Sequence, residues 1–308
     1  MPMFLTKMAM LAKIEATSGI DPVPTGALNA ILARNWTLNP LELTTEDRQL
    51  ADPWLGQTAA VIAASWQTMS FDVELAGSGA AGTAPAYGPL LMACKHSQTI
   101  SAGVSTTYAP VSGADDSVTI YFYIDGRLHK MSYGRGTVAM VLDSRKIPVF
   151  RFNFTGLYSP VTDAALPTPV FSGFIPPKAV NKANTTLTLH GISVFCDQFT
   201  LDVKNQIVYR NQIGNEAVYI PQRLPEGSIV FEKQSIATKD WYSTILAGTT
   251  GALAVQHGTV AGNIVSIAAS TVQALAPKVS DQQGIQMLGL GLRFLPASGN
   301  DEYSIVVK

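Results

Sequence analysis

Residues 149–155 read VFRFNFT, with Phe150, Phe152 and Phe154 on one face and Arg151, Asn153 and Thr155 on the other. A period of two with one apolar face describes a strand covered on one side, and no helix satisfies it. Residues 117–124, SVTIYFYI, place Val118, Ile120, Phe122 and Ile124 together in the same way. Residues 136–142 repeat the pattern through Val138, Met140 and Leu142. Asp125-Gly126 offers the positive-φ pair of a two-residue hairpin turn, and residues 127–133 return as the partner strand. Such a series folds as an antiparallel meander with one face packed. One short helix is expected near residues 87–96.

The second half follows the same logic. Residues 199–203, 228–232, 264–268, 286–295 and 303–308 read as strands. Thr238 is placed to cap a helix running through Ala247, with Asp240 in its first turn and Gly248 ending it. Between the halves, residues 159–183 hold five of the chain's 18 prolines, a density that favours extended backbone. This divides the chain into an N-terminal arm (1–24), a first β domain (25–158), a Pro-rich connector (159–183) and a second β domain (184–308). The two domains can be laid over each other. Thr37-Leu38 matches Thr200-Leu201, Leu55-Gly56 matches Ile213-Gly214, and residues 70–74 match residues 228–232. The order of elements points to a tandem duplication, with two unrelated β domains as the alternative. Each unit reads as a β-sandwich or half-barrel with one short helix.

Composition excludes several functions. Only 14% of the 308 residues are charged, the net charge is −1, and 47% are hydrophobic. A phosphate-neutralising nucleic-acid binder needs a Lys/Arg excess that is missing here. Low charge with a positive mean hydropathy suits either a large enzyme core or a surface buried against copies of the same chain. No apolar run reaches the ~20 residues of a spanning helix. Lys7, Lys13 and Glu15 interrupt any signal-peptide core. Cys94 and Cys196 form no C-x-x-C pair and read as buried thiols, consistent with synthesis in a reducing cytoplasm.

Catalytic motifs are equally thin. Gly77, Gly79 and Gly82 match G-x-G-x-x-G, but Pro85 and Pro89 interrupt the helix that a dinucleotide site requires. No Asp or Glu follows until residue 115. These glycines read instead as a loop where backbone packs closely against another element. His96, His129, His190 and His257 stand at no metal-ligand spacing, and no G-x-S-x-G elbow exists. Asp115-Asp116 reads as a turn. No catalytic residue, cofactor or metal is therefore nominated. Two polar stretches do stand out, residues 44–56 (TTEDRQLADPWLG) and 204–223 (KNQIVYRNQIGNEAVYIPQR). Both mix aromatic, Arg and amide side chains, as protein interfaces do, and both occupy the same place in their units. They nominate Glu46, Asp47, Arg48, Trp54, Asn205, Tyr209, Arg210, Asn211 and Arg223 as contacts between subunits or rings. A solvated loop is the plainer alternative.

Longer stretches carry a resemblance. Residues 71–94 (FDVELAGSGAAGTAPAYGPLLMAC), 117–130 (SVTIYFYIDGRLHK) and 147–160 (IPVFRFNFTGLYSP) resemble major tail tube proteins of long-tailed, non-contractile, siphovirus-like bacteriophages. So do residues 183–191 (ANTTLTLHG), 249–265 (TTGALAVQHGTVAGNIV) and 295–308 (LPASGNDEYSIVVK). The resemblance implies a mainly β chain of two tandem tail-tube-type units that assembles with itself into a β-barrel ring. Rings stack into a tube in the virion tail, and loops of one ring reach into the next. The implied partners are ring neighbours, a tail terminator, tail-tip proteins and a tape measure protein in the lumen. Viral double-stranded DNA passes through without specific binding, and no membrane is involved. The resemblance implies hexameric rings for tube proteins with one such domain, so a duplicated chain is expected as a trimer of pseudo-sixfold symmetry, with a hexamer as the alternative.

Geometry permits this. With about four strands from each unit, three chains supply ~24, and a barrel of that number tilted ~40° is ~48 Å across its backbone. Side chains leave ~38 Å, wider than a duplex of ~20 Å. A wall that lets DNA slide is expected to be neutral to acidic. Other readings are a different self-assembling phage β protein (terminator, head decoration or contractile-type inner tube) and an enzyme with a pocket of perturbed groups.

Overall fold

A computed structural model describes residues 6–51, 53–113 and 116–308. Asp115 of the expected turn, Asp52 of the first polar stretch and the first five residues of the expected arm lie outside the described residues. The chain is mainly β, with two short helices among the described residues.

Eight strands form one continuous antiparallel sheet. Its order is Ala33–Glu46, Val61–Glu74, Val149–Tyr158, Arg127–Asp143, Cys196–Asp202, Glu226–Glu232, Ile285–Phe294 and the C-terminal half of Val265–Gln282. The first four strands precede residue 159 and the last four follow residue 183. Within each set the spatial order is first, second, fourth, third along the chain. The sets join where Cys196–Asp202 pairs with Arg127–Asp143, with Leu201 opposite Met140.

Register sorts the side chains. Val73, Phe150, Met140, Leu201, Gly227, Leu292 and Ala274 sit side by side across seven strands and face the core. The neighbouring row is Arg34, Asp72, Arg151, Ala139, Asp202, Glu226, Arg293 and Gln273, on the opposite, polar face. The phenylalanine alternation thus does what its period demands. Phe152 and Phe154 are buried and pack on Phe71, the first tilted and the second stacked, with ring centroids 5.6 and 5.9 Å away.

The two longest strands turn from this sheet into a second layer. Arg127–Asp143 pairs through its first half with Val118–Ile124 and through its second with Val149–Tyr158. The corner is a bulge between Ser132 and Arg135, where Tyr133 has φ +53°. There the alternation breaks, so the sequence reads two strands where the fold has one. Val265–Gln282 does the same: it runs far past the expected residue 268, through a bulge at Ala276 (φ +47°) and Pro277. Asp125 (φ +36°) and Gly126 (φ +90°) form the expected two-residue turn.

The second layer adds Met8–Ile14 against Val118–Ile124, and Thr185–Leu189 against Thr250–His257. Ala9, Met10, Leu11 and Ala12 are buried, so this part of the expected arm is a core strand. The C-terminal strand Ser304–Val307 pairs with both Val265–Gln282 and Ser105–Pro110, so the two halves share hydrogen bonds. The first helix is Gly88–Met92, with Pro89 in its first turn, and His96 already begins a strand. The second is Trp241–Leu246. Its cap is Asp240, which accepts from the Ser243 amide at 3.0 Å, rather than Thr238. Thr238 lies in the preceding turn, bonded to Ser235. Gly248 (φ +63°) follows the helix as expected.

Candidate assembly interface

The two polar stretches stand at the same end of the eight-stranded sheet, but they fold differently. The first is the tip of the long hairpin Ala33–Glu46/Val61–Glu74. Glu46, Asp47, Arg48 and Trp54 are exposed there, Trp54 to 81%. The second is a hairpin of its own, Asn205–Gln212/Asn215–Arg223. The chain swings into it at Lys204 (φ +47°) and lays it against the first half.

That docking engages three residues expected between subunits. Asn205 is buried, and its amide donates to the carbonyls of Cys94 and Gly136 at 2.9 Å each. The Tyr209 hydroxyl donates to the Ser65 carbonyl at 3.0 Å, and its ring lies 5.1 Å from Trp66. Burial and the hydrogen bond to Glu216 push that hydroxyl's pKa up. Arg223 binds Glu302 through Nε (3.1 Å) and Nη2 (2.9 Å), and the Val111 carbonyl through Nη1 (2.9 Å). In return, Arg135 donates to the Val218 carbonyl at 2.6 Å. Asn205, Tyr209 and Arg223, expected from the sequence as contacts between subunits or rings, thus make contacts inside the chain. Arg210 and Asn211 stay exposed. Only the register of the hairpin, invisible in a polar stretch without clean alternation, separates the two groups.

The glycine loop packs as tightly as its composition allows. Gly79 donates from its amide to the Gly262 carbonyl (2.9 Å), and Gly77 to the Asn263 side chain (3.1 Å). A Cβ on Gly77 would lie 2.0 Å from the Gly262 oxygen, and one on Gly82 2.2 Å from the Gly103 nitrogen.

Sequence reading missed the sheet's two outer edges. Among the described residues, Ala33–Glu46 pairs on one side only, with Val61–Glu74. Residues 276–282 likewise pair, among the described residues, on one side only, with Ile285–Phe294. At the internal junction Met140 is fully buried, whereas Val279 on the outer edge is 50% exposed. An apolar residue exposed on an unpaired edge is a template for another strand.

The polar face carries Glu42, Asp72, Glu74, Asp143, Asp202, Glu226 and Glu232 against Arg34, Arg151, Lys204, Lys278 and Arg293. Arg151 pairs with Asp72 at 3.1 Å, and Lys204 donates to Glu226 at 2.5 Å. That hydrogen bond holds the Glu226 carboxyl below its ordinary pKa. His96 is buried between the Leu91 carbonyl (Nδ1, 2.9 Å) and the Tyr303 hydroxyl (Nε2, 2.7 Å), and burial pushes its pKa down to about 4. No group of three or more His, Cys, Asp or Glu among the described residues is arranged to hold a metal ion. No helix among them is long and apolar enough to cross a membrane.

A family model described as phage tail tube protein matches residues 6–300. The chain belongs to the phage tail tube protein family. No curated protein matches it. Membership makes it a structural, self-assembling component of the virion tail.

Proposed function

We propose that this tail tube protein is the major tube subunit of a long-tailed phage, and that three copies close a ring of ~24 strands. The observation that carries this is the internal junction between the two four-stranded sets. It supplies a template for the missing one. Thr37 stands opposite Ser70 as Thr200 stands opposite Ser228, so Leu38 corresponds to Leu201. Phe150 faces Met140 as Leu288 faces Val279, so Val279 corresponds to Met140. Repeating Leu201–Met140 between chains gives Leu38 of one copy opposite Val279 of the next, and Thr37 opposite Ser280. With eight strands per chain, alternating in direction, the outer edges meet antiparallel in every copy. The repeated spatial order supports a tandem duplication with a junction near residues 159–183.

Closure turns the polar face inward. Its excess of Asp and Glu suits a lumen through which DNA slides, because carboxylates repel phosphate. Rings then stack into the conduit for genome ejection. The tape measure protein occupies the lumen during assembly, and terminator and tip proteins close the ends. The subunit is made in the host cytoplasm and performs no turnover.

The test is a Thr37→Cys/Ser280→Cys variant, oxidised and run without reductant, beside electron-microscopic averages down the ring axis. Covalent trimers and rings of three chains are expected. Rings of six chains, or cross-linking only within single chains, would refute the proposed closure.

A further inference from the structure

The polar tip of the long hairpin ends in apolar residues. Leu50 and Trp54 are exposed and Leu55 fully so. At the far end of the same sheet lies a crevice of about 630 Å³ between residues 180–182 and the strands below. Buried Leu142, Leu187, Val194, Phe199 and Val255 line it, and Phe195 stands at its rim, 70% exposed. The volume falls within the ~300–1,000 Å³ of sites that enclose a ligand.

Strand direction fixes the relation of tip to crevice. Cys196 begins its strand opposite Phe231, beside the turn that follows Asp143. Ala33, opposite Val73, lies in the row of Leu201, five residues further along in the same direction. Its strand runs on from there to Glu46, so the tip stands more than ~40 Å from the crevice at ~3.3 Å per residue. One chain cannot fill its own crevice. Complementary surfaces at opposite ends make a head-to-tail contact that does not close, which builds a filament.

A second pair of features repeats the arrangement. Leu32 precedes Ala33 as Phe195 precedes Cys196, and it lines a smaller crevice of about 190 Å³ with Glu74, Tyr87 and Ile175. The docked hairpin of the second half ends in fully exposed Ile213. Each chain thus has two apolar tips at one end and two apolar crevices at the other.

We infer that the Trp54-Leu55 tip of one copy seats in the Phe195 crevice of a second copy in the next ring. This rests on the tube-subunit reading and names its ring-to-ring contact. An aromatic anchor in an apolar pocket is the arrangement that concentrates binding energy.

The full chain carrying Leu55→Cys tests it, because Cys196 lines the crevice while Cys94 is buried. Assembled tubes treated with a short bis-maleimide are expected to give multimers on a denaturing gel, and Cys196→Ser should abolish them. A Trp54→Ser/Leu55→Ser variant is expected to form rings that do not stack. Tubes of normal length from that variant, or Leu55→Cys tubes that do not cross-link, would overturn the inference. If the unmodified chain forms neither rings nor tubes, the tube-subunit reading itself fails and the socket with it.

Discussion

Arg223 stands in a stretch whose composition points outward, yet its side chain is 12% exposed and its partner Glu302 9%. Truncating Arg223 to Ala leaves Glu302 as an uncompensated buried carboxylate and frees the Val111 carbonyl. Breaking one partner of a buried ion pair costs about 3–5 kcal/mol. In a chain of this size each kcal/mol moves the melting temperature by ~2 °C, so the expected fall is ~6–10 °C. The assay is thermal unfolding of the isolated subunit, dilute enough to prevent assembly. The replacement Arg223→Met/Glu302→Leu is the control: with both charges gone, most of the loss should be recovered. A midpoint within ~1 °C of the parent for Arg223→Ala, combined with failure to assemble, would refute the reasoning and return Arg223 to an inter-subunit role.

Three further outcomes follow from the structure. His96 titrates near 4 when folded against an ordinary value of 6.5, so the unfolded chain binds the extra proton between these values. Stability is complete above pH ~6.5 and falls by up to about 3 kcal/mol as the pH drops through 6.5 toward 4. His129, His190 and His257 are shifted down by burial and add in the same sense. Denaturant midpoints across that range should show a shallower slope for His96→Gln. Gly82 has φ +71°, and a Cβ there meets backbone, so Gly82→Ala should lower the melting temperature, whereas Gly126→Ala, with open space around it, should cost only its turn strain. Asp202→Lys/Glu226→Lys should leave tube length unchanged but slow DNA ejection in a release assay; ejection at the parent rate would remove the case for an acidic lumen.

How much of this was legible in the sequence depended on periodicity. Phe150, Phe152 and Phe154 announced a strand and its core face because nothing interrupts their alternation. Tyr133 and Ala276 sit at bulges where the chain takes positive φ, so the alternation on either side falls out of phase and one long strand reads as two segments or stops short. The helix cap shifted from Thr238 to Asp240 because both residue types cap, and only the bonded Ser243 amide distinguishes them. Site residues were harder still. Asn205 and Arg210 have the same polar character, and which one is buried depends on a partner surface contributed by Cys94 and Gly136, 111 and 69 positions away, which no local pattern or spacing reveals.

The proposed ring seam has a physical guard. Open edges invite uncontrolled pairing, and edge strands resist it with proline and lysine. Pro40 lies in Ala33–Glu46, while Pro277 and Lys278 lie at the start of the other open edge. The strands of the internal junction, Cys196–Asp202 and residues 139–143, contain no proline or lysine. In the proposed register Pro40 falls opposite Pro277, so the seam ends where neither chain has an amide to donate. The covalently linked junction forms as the chain folds, but the seam between copies must also overcome the loss of translational freedom. A guarded edge then keeps free subunits apart until a ring template holds them. Pro277→Ala/Lys278→Val removes the guard while leaving Leu38 and Val279 in place. Light scattering of the dilute subunit should show spontaneous growth that the parent lacks. Identical traces for parent and variant would mean that the two residues protect nothing, and that the edges are held apart by something other than their own sequence.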